Sequence, residues 1–444
     1  MMHRRNFLRN AALTFSGMSI LQQLPAADIA SLRNGIAASD KINVGLIGCK
    51  GMGWADLSSI LKLPQVNCAA ICDIDDSIIA MRKADLAKLN CTPTIYKDYR
   101  KLLDNKDIDV VIIGTPDHWH CLQMTDACSA GKQVYVEKPI ANSINEAQQM
   151  VAAAQRYNTI VQVGQWQRSQ QHFNKAIEFV HSGKLGRIVK TKAWMYNGGS
   201  KALTPVANAP VPAGVDYNMW LGPAAHRDFN KNRFHYDFRW FWDYAGGLMT
   251  DWGVHLIDMV LLGMQVNAPV SVTANGGKYS FPGDARETPD VLTALYDFGS
   301  FDMTWEHAMG VAGGQYGQQH GIAFIGDNGT LVLTRGGWEV RPEKDSSKKV
   351  DKMEAVAWQP STDNGLDNHT VNFVEAITKK DASLLHTPIQ AGAQVAMVSH
   401  MGNIAFRTGE KIKWDAAKMQ FNHNEANALV KPDYHNGWKL PKFA

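Results

Sequence analysis

Beyond its N-terminal stretch the chain lacks any uninterrupted apolar run near the roughly 20 residues a membrane span requires. It also lacks cysteine after Cys128: all six (Cys49, Cys68, Cys72, Cys91, Cys121, Cys128) lie in the first third of 444 residues. Cys68 and Cys72 on one strand would stand about 13 Å apart, and Cys121 and Cys128 on one helix about 10 Å apart. Both exceed the ~7 Å a disulfide tolerates, so a disulfide-stapled scaffold is not indicated, and no zinc-type pairing occurs. Net charge is scarce as well. The formal value is +3, and removal of residues 1–39 deletes Arg4, Arg5, Arg9 and Arg33 against Asp28, leaving a neutral chain. With no basic run, nothing marks a nucleic-acid surface. There are no internal repeats and no low-complexity tract.

What is present is a soluble globular composition, 45% hydrophobic and 20% charged, at a length that predicts two domains. Met2-His3-Arg4-Arg5-Asn6-Phe7-Leu8-Arg9 precedes a modestly apolar run, Ala11 to Leu24. This resembles a twin-arginine export signal and predicts a periplasmic protein with residues 1–39 as signal and linker. The alternative is a basic tail on a cytosolic enzyme. Cleavage after Ala26-Ala27 and after Ala37-Ala38 both fit, and no Cys follows the run to carry a lipid anchor.

Residues 40–163 read as a doubly wound parallel sheet of the Rossmann type. Ile42 to Ile47 is a β-prone run that ends in Gly48-Cys49-Lys50-Gly51-Met52-Gly53. Against the pattern G-x-G-x-x-G, Gly48 and Gly53 occupy the first and third glycines, whereas Lys50 stands at the second and glycine moves to Gly51. Either the loop bulges, or Lys50 projects outward and adds positive charge near the phosphates. A helix from Trp54 to Leu63 follows, then a strand, Val66 to Cys72, ending in Asp73 where ribose hydroxyls would bind. Asp75 and Asp76 add charge that would repel a 2′-phosphate, which favours NAD. Further strands end at Thr115-Pro116-Asp117-His118-Trp119-His120 and at Glu137-Lys138-Pro139, so His118, His120, Glu137 and Lys138 face the cofactor side.

Those strand ends, together with Gly246-Gly247-Leu248-Met249-Thr250-Asp251-Trp252-Gly253-Val254-His255 downstream, resemble the Gfo/Idh/MocA oxidoreductase family. Trp220-Leu221-Gly222-Pro223-Ala224 and the segment 321–330 fit its secreted, sugar-acting branch. The resemblance covers nearly everything after residue 40. It implies NAD as cofactor, a small carbohydrate substrate, and a homo-oligomer, dimer or tetramer, formed through the open face of a second sheet.

Residues 164–444 are expected to form that second, α+β domain for substrate binding and oligomerisation. Helices are predicted over about 172–182, 370–378 (begun by His369) and 390–407, and β-prone runs recur between Arg187 and Thr334 in a mostly antiparallel sheet. Residues 197–245 form a long aromatic loop, and aromatic faces stack on the apolar faces of sugar rings. Trp166, Arg168, Tyr196 and Trp240 are the expected substrate contacts, beside Asp251 and His255. A single helix would put Asp251 and His255 one turn apart as a proton-handling pair, with Asp258 a structural neighbour.

The resemblance implies a catalytic set of Lys138, Asp251 and His255. His255 would accept the proton of a substrate hydroxyl, Asp251 would orient or share it, and Lys138 would hold the oxygen. Lys138 as the base is the alternative. No residues have metal-ligand spacing. The leading expectation is oxidation of a ring hydroxyl, at C3, to a keto sugar with retained NAD, since a periplasm has no free nicotinamide pool. A glycosidase working by transient C3 oxidation and elimination is the second, and a non-catalytic sugar-binding protein the third.

Overall fold

The computed structural model describes residues 41–443, so the expected signal segment 1–39 lies outside the described residues. Eighteen strands are described: β1 (Ile42–Ile47), β2 (Val66–Cys72), β3 (Thr94–Tyr96), β4 (Val110–Ile113), β5 (Gln133–Val136), β6 (Val161–Val163), β7 (Ile188–Asn197), β8 (Ser271–Gly277), β9 (Val291–Asp297), β10 (Asp302–Met309), β11 (His320–Gly326), β12 (Gly329–Thr334), β13 (Gly337–Pro342), β14 (Lys344–Asp345), β15 (Val350–Asp351), β16 (Val356–Pro360), β17 (Ile412–Asp415) and β18 (Gln420–Phe421). The first six pair in parallel in the order β3-β2-β1-β4-β5-β6. Both faces of this sheet are covered by helices, which is why Val110-Val111-Ile112-Ile113 is buried at every position instead of alternating. Order reverses between β1 and β4, and a ligand crevice opens at the carboxyl ends there.

The second sheet has ten strands, β16-β13-β12-β11-β7-β10-β9-β8-β17-β18, antiparallel except for β7 with β10. Here the pattern does alternate. On β9, Leu292, Ala294 and Tyr296 are buried while Thr293 and Leu295 are exposed, so one face packs on helices and the other is open.

Sequence reasoning assigned everything after Gly164 to the second domain, but two late helices seat against the first sheet. Phe373 and Val374 of the helix Gly365–Lys379 pack with Val44, Leu57 and Tyr135. Ile389, Ala393 and Ala396 of the helix Ile389–Thr408 pack with Val136, Met150 and Val163. The first of these begins one turn before His369 because Asn364 caps it, its side chain accepting from the amides of Leu366 and Asp367. His369 is therefore a buried mid-helix residue, held by Val163 O and Ser169 Oγ. All six cysteines are buried thiols.

Candidate functional site

A cleft of about 290 Å³ lies over the carboxyl ends of the parallel strands. Gly48, Lys50, Gly51, Met52, Asp73, Thr115, Pro116, His120, Glu137, Lys138 and Asp251 all line it. Its floor is glycine because nothing larger fits. A Cβ on Gly53 would stand 2.2 Å from Gly48 O, and one on Gly114 2.4 Å from Gly53 Cα, so the turn, helix and β4 meet backbone to backbone. Gly48 (φ +84°) and Gly51 (φ +56°) take the left-handed turns, and Lys50 is extended and exposed between them. The helix Gly51–Ile60 starts with no side-chain cap and no acid in its first turn. Its free amides suit a pyrophosphate, and Asp73 at the end of β2 accepts from Cys49 N at 2.7 Å. The residues present therefore fit a dinucleotide.

At the other end of the cleft the predicted pair of Asp251 and His255 is not formed. The helix breaks at Trp252 into Gly247–Asp251 and Gly253–Met264. His255 N bonds Trp252 O at 3.0 Å instead of Asp251 O. The carbonyl thus freed accepts from Lys138 Nζ at 3.0 Å, and the Asp251 carboxylate accepts from the same Nζ at 2.8 Å. Arg239 Nε stands 3.6 Å from the second carboxylate oxygen. Burial pushes the Asp251 carboxyl up, but Lys138 and then Arg239 outweigh it and bring it down to about 2. Lys138 arrives at the end of β5 through a cis Lys138-Pro139 peptide.

His255 is buried with Nδ1 unpartnered, flanked edge-on by Trp166 and Trp252 at 6.2 Å each. Burial first, then the charges of Lys138 and Arg335, hold its imidazole well below the ordinary value of 6.5, so it is neutral near pH 7. Beneath Lys138, Asp56 and Glu137 form a buried carboxyl pair. Burial raises both, Glu137 to about 7, and Gly164 leaves room for Glu137 because a Cβ there would fall 2.1 Å from Oε1.

Four expected contacts belong elsewhere. Arg168, expected at the substrate, forms a two-pronged pair with Asp258 at 2.8 and 2.7 Å. Tyr196 lies on the open face of the second sheet, where its hydroxyl meets Glu306 at 3.1 Å; the alternation of β7 sends Ala193 and Met195 inward instead. Trp240 is buried, with Nε1 donating to Asp237, and Tyr236 and Phe238 of the same loop line the cleft in its place. His118 is buried and does not line the cleft; its Nε2 lies 3.1 Å from Trp220 O. His120 does reach the cleft wall, between Pro139 O and Thr115 O.

Sequence reasoning missed Asp117, Arg239, His320 and Arg335. Asp117 follows a motif already singled out and lines the cleft, and burial holds its carboxyl far above the usual range. Arg239 sat unremarked inside the aromatic loop. Arg335, which stacks on Trp166 and Trp252, lies far along the chain from His255 and carries no local signal. Among the described residues no group of three or more His, Cys, Asp or Glu could hold a metal ion.

The model of the Gfo/Idh/MocA oxidoreductase family's NAD-binding Rossmann fold matches residues 42–165, and that of the family's C-terminal alpha/beta domain matches 152–300. A glycosyl hydrolase family 109 protein of Shewanella sp. (strain W3-18-1) is 34% identical over 170 residues, covering 35% of this chain and 37% of that protein. The match thus spans little more than a third of such relatives' length. An uncharacterized oxidoreductase, YrbE, of Bacillus subtilis (strain 168) is 26% identical over 299 residues, 66% of this chain and 73% of its own. Among solved structures, a levoglucosan dehydrogenase in complex with NADH and levoglucosan aligns at a TM-score of 0.62 and 19% identity, covering 84% of this chain and 99% of that one. At that identity the likeness concerns the fold.

Proposed function

The chain belongs to the Gfo/Idh/MocA oxidoreductase family, with an NAD-binding Rossmann domain, and from that premise we propose that it oxidises a ring hydroxyl of a sugar or glycoside, at C3, to the keto sugar. The observation that carries this reading is Lys138, fixed by both the side chain and the carbonyl of Asp251 where the dinucleotide cleft meets a neutral histidine between two indoles. The loop Gly48–Gly53 and the helix behind it would hold the pyrophosphate, and Asp73 the ribose. When bound, NAD supplies the oxidant for the carbinol carbon. His255 accepts the hydroxyl proton, which its unprotonated state allows. Lys138 donates a hydrogen bond to the same oxygen. Asp251 positions Lys138 and does not orient His255. Trp166 and Trp252 offer faces for the sugar ring. The levoglucosan complex of one structural relative supports a carbohydrate substrate.

To test this, one portion of the purified protein is denatured to release any retained dinucleotide, and a second, intact portion is mixed with methyl glucosides. Bound NAD, its near-ultraviolet change on mixing, and a sugar lighter by two hydrogens are expected; a protein that holds NAD yet alters no sugar would sink the reading. The glycosidase reading is favoured by the name of the Shewanella relative, and it predicts released aglycone without net oxidation. We further propose export, resting on Arg4-Arg5 and the run behind them, and a subunit interface on the open sheet face around Leu295. Cell fractionation and sedimentation test these two.

A further inference from the structure

Arg335 occupies a two-residue turn between β12 and β13, whose ends Thr334 and Gly337 pair directly. The turn is pinned three ways. Thr334 Oγ1 accepts from Gly336 N at 3.0 Å, Thr334 O faces His172 Nε2 at 3.0 Å, and Gly336 O accepts from Ser361 N at 2.8 Å. From this fixed base the side chain reaches into the site, where its guanidinium carbon stands 4.6 Å from the Trp166 ring and 4.4 Å from the Trp252 ring. Those are the same two indoles that flank His255.

The guanidinium is half-buried, yet among the described residues it makes no ion pair, and its Nε has no hydrogen-bond partner. The nearest carboxylate that influences it, Asp251, is already engaged by Lys138 and approached by Arg239. Lys138 and Arg239 thus already take up that carboxylate, and Arg335 forms no ion pair with it. Stacking on two indoles compensates part of the desolvation of Arg335, but it leaves the buried Nε without an acceptor and the rest of the N–H fork without a protein partner. Such a fork matches a planar carboxylate in two-pronged fashion.

We propose that the sugar carries a carboxylate, as a uronic acid or its glycoside does, and that Arg335 binds it while the indoles cover the ring. This rests on the sugar-oxidising reading above, and it names the substrate class of the same site. A neutral sugar would leave the fork unmatched. A carboxylate would restore charge balance beside His255.

Binding and turnover separate the two claims. Dissociation constants are measured by indole fluorescence on the NAD-loaded full chain for methyl glucuronide against methyl glucoside, and methyl galacturonide against methyl galactoside. The acid member of at least one pair is expected to bind about tenfold to a hundredfold more tightly, the scale of a charge-assisted hydrogen bond. In Arg335→Gln that ratio should collapse, and Arg335→Lys, which keeps the charge without the fork, should restore only part of it. The wild-type ratio needs no variant to fold. Equal or tighter binding of the neutral member in both pairs overturns the proposal, as does tighter binding of glucose 6-phosphate than of either uronide, which would mark a tetrahedral anion. Acid preference without oxidation of any of these sugars would keep the carboxylate site and remove the dehydrogenase reading instead.

Discussion

Lys138 Nζ lies 2.8 Å from a carboxylate oxygen of Asp251 and 3.0 Å from the backbone carbonyl of the same residue. Two bonds to one residue fix the ammonium far more closely than either alone, because the carbonyl belongs to a helix end that cannot swing. The helix break at Trp252 turns His255 N to Trp252 O and leaves the Asp251 carbonyl to Lys138. The break therefore does two things: it separates Asp251 from His255, and it hands Asp251 to Lys138.

Replacing Asp251 by Asn should keep the shape but lose the charge that holds Lys138. Turnover is expected to fall by about 10²- to 10⁴-fold, the range for a mispositioned proton-handling group, with NAD still bound. Stability should change with pH in a defined direction. The folded carboxyl titrates at about 2 against an ordinary 3.8, so its stabilisation is complete above about pH 4 and is lost as pH falls through 2. The gap between wild-type and variant unfolding midpoints should shrink across that window; a gap that widens there contradicts the assignment.

Two glycines of the nucleotide loop should respond differently to alanine. At Gly53 the added Cβ meets Gly48 O at 2.2 Å, so backbone must move, at about 1–3 kcal/mol and with loss of NAD retention. At Gly51 nothing lies within 4 Å, and the cost is the strain of φ +56° alone, roughly 1 kcal/mol. Chemical denaturation and the dinucleotide content of the purified variants compare the two. Equal losses at both positions would mean the close approach of helix and strand is not what selects glycine.

The Arg168–Asp258 pair should be a matter of folding. Asp258 is 1% exposed, and losing one partner of a buried pair strands the other charge. Asp258→Ala is expected to cost about 3–5 kcal/mol. The fraction that folds should retain the wild-type Michaelis constant for the sugar, because the Arg168 guanidinium is committed to Asp258 rather than to the site. A raised Michaelis constant at unchanged stability would return Arg168 to the substrate.

How far the sequence revealed this site depended on how local each signal was. The Rossmann sheet was legible because buried parallel strands are short apolar runs that stop at ligand-binding loops, and Gly48, Asp73, Thr115 and Lys138 all stand at such stops. Arg168 and Trp240 misled because an arginine or tryptophan near a cleft looks the same in sequence whether it faces substrate or a buried partner such as Asp258 or Asp237. The break at Trp252 was hidden by an unbroken helical period from Gly247 to Met264. Arg335 could not be found at all by spacing, since only the long-range pairing of β12 with β13 brings its turn to the helix.

In the proposed reaction, His255 and Arg335 together are expected to set the pH response. The imidazole accepts a proton only while neutral. Burial, then Lys138, Arg335 and His320, all disfavour its charged form, so its folded value lies well below 6.5. The acid limb of kcat/KM governed by this residue should therefore be absent near pH 6.5 and appear only at lower pH, above any acid unfolding. Arg335→Gln removes one of the opposing charges, so the limb should move upward, toward 6.5, even as activity on an acidic sugar drops. His255→Ala should retain NAD, lose the limb, and lower turnover by about 10²- to 10⁴-fold. A limb that stays in place in His255→Ala would assign it to another group, with Lys138 the next candidate for the base; a limb that moves downward in Arg335→Gln would mean that the guanidinium does not act on the imidazole through its charge.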